Sequence, residues 1–109
     1  ADEMKAAFLR RRDLMIDGLS AIPGLKVNRP MGAFYLFPDV SSLFGKRHAE
    51  GTIANSSDFS LYLLDKAHVA TVAGDAFGTP ECIRLSYAAS EEQLMEAVRR
   101  IAEAVNALQ

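Results

Sequence analysis

Apolar residues recur with helical spacing over the first 22 positions of the chain. One side of the predicted helix carries Met4, Phe8, Met15, Leu19 and Ile22, at intervals of four, seven, four and three. Such intervals are typical of an amphipathic α-helix, which the following Pro23-Gly24 pair ends. Because the chain begins inside this periodic pattern with no convincing cap before Met4, we expect the helix, and with it the protein, to extend further upstream.

A second helical stripe lies at the end of the chain. It consists of Leu94, Val98, Ile101, Val105 and Leu108, at intervals of four, three, four and three. This pattern predicts a helix that packs on the core. Ser90 and Gln93 precede it with the spacing of a capping box, in which each residue bonds the backbone N–H of the other.

Short runs rich in β-branched and aromatic residues predict strands between these helices. Residues 25–29 and 33–37 flank the turn residues Pro30, Met31 and Gly32, and predict a hairpin. A two-stranded hairpin is not stable alone in water, so further strands or a covering helix must complete the sheet.

Residues 69–72 and 82–87 predict those further strands, separated by the loop segment 74–80. The alternation within a strand places Ile83, Leu85 and Tyr87 on one face of the last strand, and Arg84 and Ser86 on the other.

The middle of the chain, residues 39–56, is polar and predicts a loop with a short turn at 41–44. A helix is expected from Ser57 or Asp58 to His68. Its buried side is predicted to carry Phe59, Leu63 and Ala67, with Leu64 beside them. The order αββαββα predicts a single α+β domain, a small and at least partly antiparallel sheet covered by helices.

Composition excludes several classes of function. Twelve Lys and Arg against 14 Asp and Glu give a net charge of -2, which is not the basic footprint of a nucleic-acid-binding protein. The cluster Arg10-Arg11-Arg12 is interpreted as a solvated helix face that pairs with neighbouring acids. No apolar run predicts a membrane span and no signal peptide is found, so we expect a cytoplasmic protein.

Candidate chemistry is sparse. Cys82 is the one cysteine, and His48 and His68 stand far apart in sequence, so no metal site is expected. The segment from Gly74 to Gly78 is followed by a strand, whereas a phosphate-binding loop leads into a helix. No nucleophile with an adjacent base is visible, and no catalytic residue is expected in the chain.

Arg84 is the one charged residue in the predicted strand 82–87. Its guanidinium presents a planar fork of N–H donors that matches a carboxylate. A surface ion pair is the alternative, and position alone leaves both interpretations open.

Three motifs, in this order and spacing, resemble the small-domain signatures of fold-type I aminotransferases of the aspartate aminotransferase type (class I/II). The motifs are Pro30-Met31-Gly32-Ala33-Phe34-Tyr35, Gly74-Asp75-Ala76-Phe77-Gly78 and Ile83-Arg84-Leu85-Ser86-Tyr87-Ala88. The resemblance spans essentially the whole chain, so residues 1–109 are interpreted as the C-terminal small domain of a larger enzyme.

The resemblance implies roles for particular residues. In that family the arginine of the last motif forms a salt bridge to the α-carboxylate of the amino-acid substrate, a role that Arg84 would take. Gly32 and Phe34 would lie near the substrate, with core packing as the alternative for the Phe34 ring.

Pyridoxal phosphate would be held by the missing large domain of the same chain. None of the lysines here stands in the sequence context of the family's cofactor-binding lysine; these are Lys5, Lys26, Lys46 and Lys66. No cofactor-binding residue is therefore expected in this part of the enzyme, which alone should be inactive.

The implied reaction is transamination between an amino acid and a 2-oxo acid, with aspartate and 2-oxoglutarate as the expected pair. The parent enzyme is expected to be a homodimer. Two alternatives stay open: a free-standing α+β regulatory or interaction module, and another fold-type I pyridoxal-phosphate enzyme such as a lyase.

Overall fold

Helices and short strands alternate along the chain, which the computed structural model describes over residues 2–27 and 35–109, with side chains from residue 5 onward. The helices are α1 (Asp2–Ser20), α2 (Ser56–Tyr62) and α3 (Glu91–Asn106), and α2 continues as a π-helical turn over Leu63–Ala67. The strands are β1 (Tyr35–Leu36), β2 (Arg47–His48), β3 (Gly51–Thr52), β4 (Val72–Ala73) and β5 (Ile83–Ser86). None of the described helices is both long and apolar enough to cross a membrane.

Strand β5 is the centre of an antiparallel sheet with the order β1-β5-β4. Its pairing with the β1 side continues past the strand ends, because Pro38 accepts a hydrogen bond from the Ile83 amide at 3.1 Å and the Val40 amide donates to Glu81 at 2.8 Å. Pro38 has no N–H to donate, which interrupts the ladder at that residue. The predicted α+β fold with an antiparallel sheet is confirmed.

The segments of the predicted hairpin pair differently from the prediction where the structure describes them. Lys26 forms an antiparallel bridge with Asp39, two residues beyond the predicted strand 33–37, with backbone N···O distances of 3.0 and 2.7 Å, and Tyr35 and Leu36 pair with β5. Residues 28–34, which include the predicted turn, lie outside the described residues, so the pairing next to that turn stays a prediction.

The core lies between one face of this sheet and the helices. Leu36, Ile83 and Leu85 supply the buried face of the strands. The predicted helical stripes are confirmed at most of their positions. The buried ones are Met15 and Leu19 in α1, Ile22 just after it, Leu94, Ile101 and Val105 in α3, and Leu108 just after it. Val98 is half-buried, and the side chain of Met4 lies outside the described part.

Helix α2 starts slightly earlier than predicted. The Asn55 side chain caps it by accepting a hydrogen bond from the Asp58 amide at 2.9 Å, so the helix begins at Ser56 rather than at Ser57 or Asp58. Phe59 and Leu63 are buried as predicted, whereas Leu64 is 52% exposed and does not join the core.

Two predictions for the connecting segments are wrong. The expected loop 39–56 contains a small hairpin, in which β2 pairs with β3 and the Arg47 backbone exchanges hydrogen bonds with Gln109 at 2.8 and 2.9 Å. Each strand has only two residues, and none of the four is apolar and buried, so no alternation of apolar residues reveals them. The strand expected at 69–72 begins only at Val72, because the pairing with β5 starts at that residue. His68 turns the backbone before it, with a φ of 56°.

Tyr62 ties the α2 side of the domain to the end of α3. Its hydroxyl donates a hydrogen bond of 2.7 Å to the carbonyl of Ala104, which lies in the last turn of α3 where carbonyls lack an intrahelical partner. Burial raises the pKa of Tyr62, which favours the protonated hydroxyl that donates this hydrogen bond. The contact therefore joins α2 to the C-terminal end of α3.

The capping box at Ser90 is confirmed, and its removal provides a test of the fold. The Gln93 amide donates to the Ser90 hydroxyl at 3.1 Å, and the Ser90 amide donates to the Gln93 side chain at 3.2 Å. We expect Ser90→Ala to lower the free energy of unfolding by about 1 kcal/mol in urea denaturation, because it leaves helix N–H groups without an acceptor. Ser20→Ala, at the exposed end of α1, is the control and should change it by less than about 0.5 kcal/mol. Equal effects of the two substitutions would contradict the prediction.

Candidate functional site

Arg84 lies in the middle of the central strand, on the face of the sheet that points away from the core. Its neighbours Ile83 and Leu85 are fully buried on the other face, whereas Arg84 is half-buried and Ser86 is exposed. Val72 of β4 stands opposite Arg84 in the register and is 40% exposed. The predicted alternation of β5 is therefore confirmed, and Arg84 projects onto an open face of the sheet.

Two aromatic rings flank the Arg84 guanidinium. Its central carbon lies 4.5 Å from the centroid of the Tyr35 ring and 4.3 Å from that of Phe77. Tyr35 comes from β1, where it stands opposite Ser86, and Phe77 comes from the turn before β5. Both distances fall within the range of cation–π attraction.

The guanidinium has no acidic partner in the described part of the chain. Several other arginines form ion pairs with carboxylates: Arg10 with Glu91, Arg12 with Asp13, and Arg99 and Arg100 with Glu96. Arg10 is exposed and its pair agrees with the interpretation of the basic cluster as a solvated helix face, whereas Arg11 and Arg12 are half-buried and the Arg11 Nε is buried without a hydrogen-bond partner among the described residues. At Arg84, by contrast, the described carboxylates do not supply the surface ion pair that was the alternative role.

A tight turn at Gly74 places Phe77 against Arg84. The Gly74 amide donates to Cys82 at 2.8 Å, and the Gly74 carbonyl accepts from Thr79 at 3.0 Å. A Cβ atom at Gly74 would overlap the carbonyl oxygen of Thr79 and lie 2.5 Å from that of Cys82. Only glycine fits between these two backbone groups, and the following 3-10 turn (Gly74–Phe77) carries the ring to the guanidinium.

The remaining candidate groups take no part in this site. Cys82 is buried, and burial raises the pKa of its thiol, which disfavours the reactive thiolate. Within the described residues no group of three or more His, Cys, Asp or Glu side chains is arranged to hold a metal ion. Gly32 and Phe34, the other residues predicted near the substrate, lie outside the described residues.

Comparison with known proteins identifies the family. Residues 1–101 match the family model "Aminotransferase class I and II". The chain belongs to this family. Among curated proteins, it is 49% identical over 104 residues to the probable aspartate/prephenate aminotransferase of Aquifex aeolicus. The aligned residues cover 95% of this chain and 25% of that protein.

Solved aminotransferase structures show the same fold. The aspartate aminotransferase of Rhizobium meliloti matches with a TM-score of 0.95 and 47% identity, over 99% of this chain and 27% of that structure. The alanine aminotransferase of Pyrococcus furiosus matches with a TM-score of 0.83 and 31% identity, over 96% of this chain and 25% of that structure. The chain therefore spans about a quarter of the length of these aminotransferases.

The described lysines do not fit the cofactor of an aminotransferase. A lysine that reacts with a carbonyl group needs a lowered pKa and a shielded pocket. All of them are exposed instead: Lys5, Lys26, Lys46 and Lys66. Lys66 in addition has a raised pKa, caused first by its hydrogen bond of 2.7 Å to Glu50, and this favours the unreactive ammonium form.

Sequence reasoning identified Arg84 but missed the rings beside it. Phe77 was contained in the Gly74–Gly78 motif and Tyr35 in the aromatic run 33–37, yet neither was assigned to the site. Alternation around the buried Leu36 places Tyr35 on the open face, which was a usable signal. The contact itself depends on the strand register and on the turn at Gly74, which no spacing in the sequence reveals.

Substitution of Gly74 tests the turn that positions Phe77. We expect Gly74→Ala to lower the free energy of unfolding by about 3 kcal/mol, because the new methyl group meets backbone atoms that do not rotate away. Gly78→Ala is the comparison: Gly78 has open space around its Cα and a φ of 76°, so only backbone strain of about 1–2 kcal/mol should arise. Urea denaturation followed by circular dichroism measures both. A Gly74→Ala variant as stable as the original chain would show that the turn does not require glycine.

The exposure of the lysines predicts how these 109 residues alone respond to pyridoxal phosphate. We expect only slow, non-selective modification, with no absorbance change that saturates at one equivalent. Reduction with borohydride and peptide mapping locate any adduct, and the urea-unfolded chain is the control because its lysines are equally exposed. A stoichiometric adduct on one lysine of the folded chain, absent from the unfolded chain, would contradict this prediction.

Proposed function

We propose that these residues form the C-terminal small domain of a pyridoxal-phosphate-dependent aminotransferase, and that Arg84 binds the α-carboxylate of its amino-acid substrate. The observation that carries the proposal is the position of Arg84: mid-strand, on the open face, without an acidic partner among the described residues. Membership of the aminotransferase family and coverage of about a quarter of the relatives support a domain of a longer enzyme.

The chemistry of Arg84 suits this role. A guanidinium donates two parallel N–H bonds to the two oxygens of a carboxylate, and each charged hydrogen bond contributes about 1.5–3 kcal/mol. A carboxylate gripped at two points also has a defined orientation, which brings the reacting carbon into register with the rest of the active site. In transamination pyridoxal phosphate supplies the electron sink. This domain would supply substrate orientation.

The amino-acid side chain must be recognised elsewhere, because the α-carboxylate is common to all amino acids. We propose aspartate and 2-oxoglutarate as the substrate pair, on the strength of the names of the Aquifex and Rhizobium relatives. The Pyrococcus relative, named an alanine aminotransferase, has the same fold in this domain, which fits a domain that binds the shared carboxylate. Gly32 and Phe34 are kept as proposed neighbours of the substrate on the basis of the family motif.

The proposal extends to the setting of the enzyme. The expected partner of this domain is the cofactor-binding large domain of the same polypeptide, in a homodimeric parent enzyme. A cytoplasmic location is kept as part of the proposal.

Substitution of Arg84 in the full-length polypeptide tests the proposed function. We expect Arg84→Gln to lower kcat/KM for the amino acid at least about 100-fold, because two charged hydrogen bonds to the carboxylate are lost. Arg84→Lys should give a kcat/KM between those of the original enzyme and of Arg84→Gln, because lysine keeps the positive charge but lacks the planar pair of N–H donors. Steady-state kinetics measure activity, and the absorbance of the bound cofactor measures its retention, which should not change.

Arg47→Gln is the matched control. Arg47 is an exposed arginine of β2, outside the site around Arg84, and its substitution should leave kcat/KM unchanged. The proposed role of Arg84 fails if Arg84→Gln leaves kcat/KM intact, or if activity and cofactor are lost in equal proportion.

A further inference from the structure

The environment of Arg84 consists of rings rather than acids. Tyr35 and Phe77 approach the guanidinium from two separate elements, and the centroid of each ring lies within 4.5 Å of its central carbon. A planar guanidinium attracts aromatic rings through its faces, whereas its N–H groups point outward in the plane. Rings at these distances attract the cation without accepting hydrogen bonds in the way that a carboxylate does, so they hold the group and do not use up its N–H donors.

Both rings are themselves held in place. Tyr35 is anchored by the pairing of β1 with β5, diagonally across from Arg84, in the geometry in which cross-strand side chains touch. Phe77 is anchored by the turn at Gly74 and by the Phe37 ring, which meets it edge-on at a centroid distance of 6.4 Å. Both supports belong to the same sheet, because Phe37 directly follows β1 and the Gly74 turn bonds to the chain entering β5, so the two rings are fixed relative to Arg84.

We infer that Tyr35 and Phe77 are positioning residues that hold the Arg84 guanidinium ready for a carboxylate. This inference rests on the proposed function of Arg84. A free arginine side chain adopts many rotamers and loses that freedom when it binds a ligand. Rings that restrain it beforehand reduce the loss without occupying the N–H donors, as an acidic neighbour would.

The test compares ring removal with ring retention in the full-length enzyme with its cofactor bound. Phe77→Leu and Tyr35→Leu keep an apolar side chain but remove the π face, and each should raise KM for the amino acid about two- to fivefold with a smaller change in kcat. Phe77→Tyr and Tyr35→Phe keep the ring and should restore KM to within about twofold of the original enzyme. Phe44→Leu is the matched control, a half-buried phenylalanine away from Arg84.

The same substitutions in an Arg84→Gln background separate positioning from structural support. Ring removal should have no further effect there, because the group that the rings position is gone. An equal rise in KM in both backgrounds would overturn the inference, since the rings would then act on the substrate or the fold directly. If Phe77→Leu does not fold, Tyr35→Leu carries the same comparison from the other side of the guanidinium.

Two outcomes distinguish this inference from the proposed function. If Arg84→Gln lowers kcat/KM but neither leucine variant raises KM, positioning by the rings is wrong and carboxylate binding by Arg84 stands. If Arg84→Gln leaves kcat/KM unchanged, the proposed function fails and the inference fails with it.

Discussion

The antiparallel pairing of β5 with strands on both sides is the constraint on which the rest of the structure depends. A central strand has no freedom to rotate about its axis, because both rows of its backbone groups are bonded to neighbours. The burial of Ile83 and Leu85 then fixes which face of β5 points toward the core. Arg84 is thereby forced onto the open face, and a register shift of one residue would place its charge in the core.

The loop before β5 extends this constraint from the sheet to the site. Gly74 lies so close to the carbonyls of Thr79 and Cys82 that a side chain is excluded, and its amide bonds directly to the chain entering β5. The turn and the strand are therefore one unit. Phe77 is carried on the turn and Arg84 on the strand, so their contact follows from backbone hydrogen bonds rather than from attraction between the side chains alone.

Sequence patterns predicted the parts of this fold that depend on burial. The stripe of α3 that ends in Leu108, the alternation along β5 and the cap at Ser90 each involve residues whose local spacing reflects the contact they make. The hairpin of β2 and β3 was missed because its strands have two residues each and are held by backbone bonds, including those of Arg47 to Gln109 at the end of the chain. Such pairings depend on how distant segments meet and leave no periodic signal.

The site shows the same division between local and distant information. Arg84 stood out because a charge in a strand is unusual, but the sequence left open whether an acid or a ligand would meet it. The neighbours of the guanidinium depend on the distant strand β1, which brings Tyr35, and on the turn just before β5, which brings Phe77; neither brings a carboxylate. An acidic neighbour would satisfy the N–H fork and cancel its charge, whereas aromatic faces stabilise the cation and leave its hydrogen-bonding edge available. A domain built to bind a carboxylate brought by a substrate has a physical reason to surround its arginine with rings.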